Sequence, residues 1–156
     1  MLNEELKTRL AELLPTATFE DAVVPGTGWL TIHIDPTDLL TIAQHLRNDE
    51  ELFFDYLFCL TCIDWKTHLT MVYHFSSNRH RHNLVLKSKL DRNNPEIESL
   101  SHIWRTADFH EREVYEMFGV KFLNHPDLRL LILPDGWEGK NPMRKDFEDH
   151  VNMIRL

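Results

Sequence analysis

No stretch of this chain approaches the roughly 18–20 consecutive apolar residues that a membrane-spanning helix needs. The opening Met1-Leu2-Asn3-Glu4-Glu5-Leu6-Lys7 lacks the basic start and apolar run of a signal peptide. A soluble, cytoplasmic chain is therefore expected, held at a membrane only through something else. Cationic residues are also in short supply: Lys+Arg 17 against Asp+Glu 25 gives a formal charge of -8, which argues against general binding to nucleic acid. Glycine is sparse, with 5 in 156 residues, and none forms a phosphate-cradling loop or dinucleotide fingerprint. Nucleophile-elbow, His-Glu-x-x-His and Walker sequences are absent, as are internal repeats and low-complexity segments.

Cysteine is the scarcest chemically versatile residue. Cys59 and Cys62 are the only 2, too few for the four ligands of an ordinary iron–sulfur cluster. They lie within an apolar run, Phe53 to Ile63. In a strand, positions i and i+3 face opposite ways, which disfavours both a local disulfide and a shared metal. Buried, reduced structural thiols are expected.

What is present fits one domain. A hydrophobic share of 42% with 27% charged residues is the composition of a folded chain, and about 150 residues can bury a substantial core. Leu2, Leu6, Leu10, Leu13 and Leu14 recur at helical spacing before Pro15, predicting a helix over 3–14. Phe19–Val24 and Trp29–Ile34 read as a hairpin around Pro25-Gly26-Thr27-Gly28. Asp35 with Pro36 is a helix start, and Leu39, Leu40, Ile42, Ala43 and Leu46 supply its apolar stripe. Phe54–Ile63 is apolar on both parities, as in a strand covered on both faces. Alternation over 69–76 and 82–89 gives two further strands. Asn94-Pro95, followed by Ile97, Leu100 and Trp104, predicts another helix. The fold class is α+β: two layers, a mixed or largely antiparallel sheet in α-β-β-α-β-β-β order, then C-terminal helices and an irregular extension. The expected division is an α+β domain over 1–118 and an extended partner-docking tail over 119–156.

The densest chemistry lies in Asp108-Phe109-His110-Glu111-Arg112-Glu113-Val114-Tyr115-Glu116-Met117-Phe118-Gly119. Asp108 and Glu111 have the form of a capping box, with a helix over 109–118 and a left-handed Gly119 at its end. Glu113, four residues from both Phe109 and Met117, is placed on the apolar stripe and requires a cation or several hydrogen-bond donors; Arg129 and Arg144 are the nearest candidates. The adjacent carboxylates Glu111, Glu113 and Glu116 could form an acid–base pair, although such rows are more often a solvated face with a structural ion pair. His110, Glu113 and His125 are the candidates for a metal in a stand-alone enzyme. His80 and His82 read as a polar turn entering a strand. Beyond Gly119, three prolines and two further glycines interrupt any regular period, so the tail must lie along a surface, its own or a partner's.

The same residues resemble the C-type subunit of proton-pumping NADH:quinone oxidoreductase, respiratory complex I, the 30-kilodalton subunit family. Its pattern is Glu-Arg-Glu, two residues, an acid, two apolar residues, six more, His or Lys, three residues and Arg. Glu111-Arg112-Glu113, Glu116, Met117-Phe118, His125 and Arg129 fill each place. Leu133-Pro134-Asp135-Gly136-Trp137-Glu138-Gly139 and Pro142-Met143-Arg144-Lys145-Asp146-Phe147 resemble the family's second block. Asn124 stands where many members have Gly, Leu130 replaces a frequent Arg, and Asn141 adds a residue before Pro142. The resemblance implies a subunit without a redox cofactor of its own. NADH, FMN, iron–sulfur clusters and quinone would belong to partner chains of complex I, chiefly the large hydrogenase-related D-type subunit and the cluster-bearing B-type subunit. It implies a peripheral position on the cytoplasmic face of the inner (plasma) membrane, with Glu111, Arg112, Glu113, Glu116, His125, Arg129, Arg144, Lys145 and Asp146 as the docking motif. An equivalent subunit of a membrane-bound hydrogenase, or of a ferredoxin- or F420-dependent reductase, is the alternative.

Overall fold

The computed structural model describes residues 3–20 and 28–151. The predicted N-terminal helix is α1, Asn3–Leu13; it buries Leu6 and Leu10 completely, and Leu14 follows them inward. The hairpin expected next is present as antiparallel β1, Thr18–Glu20, and β2, Leu30–Ile34. The rest of the expected first strand, through Val24, and most of its turn lie outside the described residues. Asp35 caps as predicted, its carboxylate accepting from the Thr37 backbone N–H at 2.9 Å. A single 3₁₀ turn over Pro36–Asp38 leads into α2, Leu39–Asn48, which buries Leu39, Ile42, Ala43 and Leu46.

Three strands then form a meander: β3, Tyr56–Asp64; β4, His68–Ser77; and β5, His82–Asp91. The five strands run in the order β1-β2-β5-β4-β3. β5 is antiparallel to β4 and parallel to β2, so the sheet is mixed. One face carries Ile32, Leu86, Tyr73 and Leu60 across the register and joins the helices in a single core.

The strand covered on both faces is β4, near the middle of the sheet, rather than β3. β3 is an edge strand that alternates buried with exposed residues, Tyr56, Thr61 and Ile63 among the latter. Its apolar second parity has a local cause. A register shift between Leu57 and Cys59 lets Phe58 join Trp29, Tyr56 and His74 in a ring cluster, with Phe58 to Trp29 edge-on at 5.5 Å. Both thiols are free: Cys62 is buried and Cys59 half-buried, and burial pushes the Cys62 thiol up to about 12.

The helix predicted from Pro95 does not form. Glu96–Glu98 is a strand, β6, parallel to β7, Lys121–Leu123. Ile97, Leu100 and Trp104 are buried as a helical stripe would bury them. Their spacing is met equally by one inward strand residue followed by tight turns at Leu100–Trp104, and pairing with β7 favours the strand. Trp104 Nε1 donates to the Phe54 carbonyl at 3.0 Å. The last helix, α3, runs Ala107–Phe118 along β3 and ends at Gly119 with φ 73°. A side chain there would require that strained φ and would lie 2.7 Å from Asn141 Nδ2.

Candidate functional site

Helix α3 turns inward three charged residues of the motif: Glu111, Arg112 and Glu116 are all buried. The phase of the helix decides this. Ala107, Glu111, Val114 and Phe118 form the core-facing stripe, whereas Phe109 is 62% exposed. Glu113, two residues from Glu111 and so about 200° around the helix, points to solvent. Its expected ion pairs therefore do not form. Arg129 instead pairs with Asp127 at 2.9 Å on an exposed turn, and Arg144 Nε donates to the Phe118 carbonyl at 2.7 Å, where it satisfies the end of α3. The capping box is also absent: α3 begins after Thr106 with no side-chain cap, and the Glu111 carboxylate reaches elsewhere.

Arg112 and Glu116, one helical turn apart, hold the chain segment 129–133 from two sides. Arg112 donates to the carbonyls of Arg129 (3.2 Å) and Leu130 (2.8 Å). Glu116 accepts from the backbone N–H groups of Leu131 (2.8 Å), Ile132 (2.9 Å) and Leu133 (3.2 Å). An irregular strap with no strand partner thus has its polar backbone satisfied by one guanidinium and one carboxylate. The apolar side chains of this strap face outward: Ile132 is 62% exposed and Leu131 38%. The Arg112 guanidinium lies 5.6 Å from the Phe109 ring, so exposed Phe109 rests against the same clamp.

A second fastening holds the chain farther on, at Lys145 and Asp146. The Asp64 carboxylate, at the end of β3, accepts from the backbone N–H of Lys66 (2.7 Å) and of Lys145 (2.9 Å). It also accepts twice from Arg92, at 3.1 and 2.8 Å. Arg92 in turn donates to Asp146 at 3.0 and 2.8 Å. Hydrogen bonds from Arg92 hold the Asp64 carboxyl well below the usual range, against the opposing effect of burial. The Lys145 ammonium lies 5.9 Å from the Trp65 ring. Sequence reading missed Asp64 and Arg92. An acid closing an apolar strand run was the available signal for Asp64; Arg92 offered none.

His125 is fully buried at its side chain. Its Nδ1 accepts from the Asp127 N–H at 3.0 Å, and Nε2 faces the Asp108 carbonyl at 3.3 Å and Glu111 Oε2 at 3.7 Å. Asn124 before it has φ 60°, a left-handed conformation that asparagine tolerates in place of glycine. His110, Glu113 and His125 do not converge, and no group of three His, Cys, Asp or Glu suited to a metal occurs among the described residues. His80 and His82 contact the carbonyls of Glu50 and Leu52, the structural role expected of a polar turn.

The sequence model for "Respiratory-chain NADH dehydrogenase, 30 Kd subunit" matches residues 32–151. The chain belongs to that family. It is 35% identical over 147 residues to the C subunit of NADH-quinone oxidoreductase from Roseiflexus castenholzii, covering 92% of this chain and 83% of that protein. It is 34% identical over 151 residues to the C subunit of F(420)H(2) dehydrogenase from Methanosarcina mazei, covering 96% and 91%. A protein of Phocaeicola vulgatus, named as the C/D subunit of NADH-quinone oxidoreductase, is 42% identical over 104 residues, which cover 65% of this chain and 20% of that protein. Among solved structures, a chain of an archaeal membrane-bound sulfane sulfur reductase complex shares the fold, with TM-score 0.80 and 23% identity over 93% of this chain and 85% of that one. Within this 30 Kd family chain, no helix of the described residues is long and apolar enough to cross a membrane.

Proposed function

We propose that this chain is a non-catalytic subunit of a proton-translocating NADH:quinone oxidoreductase, bracing the quinone-reducing module from the cytoplasmic face of the membrane. Residues 1–118 serve as the folded body and 119–156 as a partner-docking tail. NADH, FMN, iron–sulfur clusters and quinone are handled by partner chains, chiefly the D- and B-type subunits. The Phocaeicola relative, whose name joins C and D, supports the D-type subunit as the immediate neighbour.

The observation that carries this reading is the inward use of the motif. Arg112 and Glu116 grip the protein's own backbone, leaving Phe109, Leu131, Ile132 and Met143 exposed. Exposed apolar side chains on a backbone fixed by buried charges suit a permanent subunit contact, since desolvated apolar anchors dominate such interfaces. The contact residues are then the apolar ones, and the charged motif residues set their position.

The Methanosarcina relative favours one second reading, the equivalent subunit of an F420H2-dependent complex. Gentle detergent purification through this chain, with mass identification of its companions, tests both readings. A flavin-bearing NADH-binding subunit among them supports the first, and an F420H2-oxidising subunit the second. Recovery of the chain without any oxidoreductase subunit contradicts both.

A further inference from the structure

Glu111 takes no part in holding the strap. Its side chain is completely buried, and among the described residues no Lys or Arg forms an ion pair with it. Oε1 accepts from the Leu100 N–H at 2.7 Å and Oε2 from Ser99 Oγ at 2.6 Å. Ser99 Oγ in turn lies 2.8 Å from Ser101 Oγ, and Ser101 is half-exposed. A continuous line of two hydroxyls therefore joins the buried carboxyl group to the surface.

The titratable groups around it come from each neighbouring element. Tyr73 of β4 is buried with an unpartnered hydroxyl. Asp108, on the same helix, keeps a buried Oδ1 without a hydrogen-bond partner, 3.5 Å from His125 Nε2. His125, in the turn after β7, presents that Nε2 to Glu111 at 3.7 Å while its Nδ1 accepts from Asp127 N–H, which fixes the neutral Nε2–H tautomer. None of these groups supplies a full positive charge to an ionised Glu111.

We propose that Glu111 is a buried proton-binding site of this chain, filled from solvent through Ser101 and Ser99. With the carboxylate ionised, Ser101 donates to Ser99 and Ser99 donates to Oε2. Loading moves one proton from a solvent hydronium onto Ser101 Oγ, one from Ser101 to Ser99, and one from Ser99 to Oε2. A carboxylate and hydronium become a carboxylic acid and water. Both hydroxyls end turned about: Oε2–H donates to Ser99 and Ser99 donates to Ser101. The Leu100 N–H bond to Oε1 survives in both states, so proton binding requires no rearrangement of the backbone. Burial raises the Glu111 carboxyl from 4.5 to about 7, opposed by the Ser99 and Leu100 donors and reinforced by Asp108, so the site changes occupancy near neutrality. This inference is independent of which complex the chain enters.

Infrared titration of the purified full-length chain tests it through the carbonyl stretch of a buried carboxylic acid. The wild type is expected to show that band at about pH 6 and to lose it as pH rises through neutrality, and Glu111→Gln is expected to lack it. Ser99→Ala removes a donor to the ionised form, so the midpoint rises by roughly one pH unit. Ser101→Ala leaves the midpoint in place and slows deuterium exchange of the acid. A folded wild type without the band, or Glu111→Gln retaining it, overturns the site. Unchanged exchange in Ser101→Ala overturns the relay. If Glu111→Gln fails to fold, carbon NMR titration of glutamate carboxyls in the wild type and Ser99→Ala decides, and the absence of a shifted midpoint overturns the proposal.

Discussion

Two carboxyl groups of this protein, similarly hidden from water, are shifted in opposite directions by their surroundings. Burial, with no Lys or Arg paired to it among the described residues, raises the Glu111 carboxyl from 4.5 to about 7 against its Ser99 and Leu100 donors; hydrogen bonds from Arg92 lower the Asp64 carboxyl from 3.8. Their effects on stability carry opposite signs. Between pH 4.5 and about 7 native Glu111 keeps a proton that the unfolded chain releases, so stability falls as pH rises through that window and levels off above it. The loss is about 3 kcal/mol. Urea unfolding of Glu111→Gln is expected to lack that component of the slope. Asp64 contributes stability that is present above 3.8 and lost as pH falls below it. Asp64→Asn is expected to lower Tm at neutral pH and to make the remaining stability less sensitive to acid, as read by thermal unfolding across pH. Arg129, which pairs with Asp127 on an exposed turn and is itself 71% exposed at its side chain, is expected to be neutral on replacement. Arg129→Ala should change unfolding free energy by less than about 0.5 kcal/mol.

At the scale of elements, α3 organises the C-terminal third. It buries Val114 and Phe118 in the core, presents Glu116 and Arg112 to the strap, and receives Arg144 at its C-terminal carbonyl. Glu116→Gln replaces a charged acceptor of three N–H groups with a neutral one, at about 2 kcal/mol for the strap's attachment. Hydrogen exchange at Leu131, Ile132 and Leu133 should then quicken about 30-fold, with the sheet amides unaffected, because the strap can open locally. Elements with a clean period were legible in the sequence: α1 from its leucines, α2 from Asp35-Pro36 and its stripe, and the alternation of β4 and β5. β6 was hidden because Ile97, Leu100 and Trp104 satisfy a helical spacing while being buried by a strand and turns. The phase of α3 was misread because its core stripe contains Glu111 and its strap-facing side Glu116, buried acids that look solvent-facing, while exposed Phe109 looks core-facing. Arg112, Glu116 and Arg144 are partnered by backbone groups, which have no signature in sequence.

In the whole molecule, a mixed five-stranded sheet supports α3, and two fastenings fix the irregular C-terminal chain between α3 and the end of β3. The family of the chain was legible from the spacing of Glu111-Arg112-Glu113, Glu116, His125 and Arg129. The parallel pairing of β2 with β5 was not, because it joins strands separated by α2 and the β3–β4 hairpin. In the proposed role, the strap is set in place to display Leu131 and Ile132, beside Phe109 of α3, to a neighbouring subunit. Changing outward-facing Ile132 to Asp leaves the Glu116 clamp, which uses only backbone at that position, and should leave the isolated chain folded. The deciding measurement is recovery of the D- and B-type subunits in gentle detergent with tagged wild type and with Ile132→Asp. The wild type is expected to retain them, and Ile132→Asp to lose most of both. Equal recovery with a folded Ile132→Asp chain would contradict a docking role for the strap.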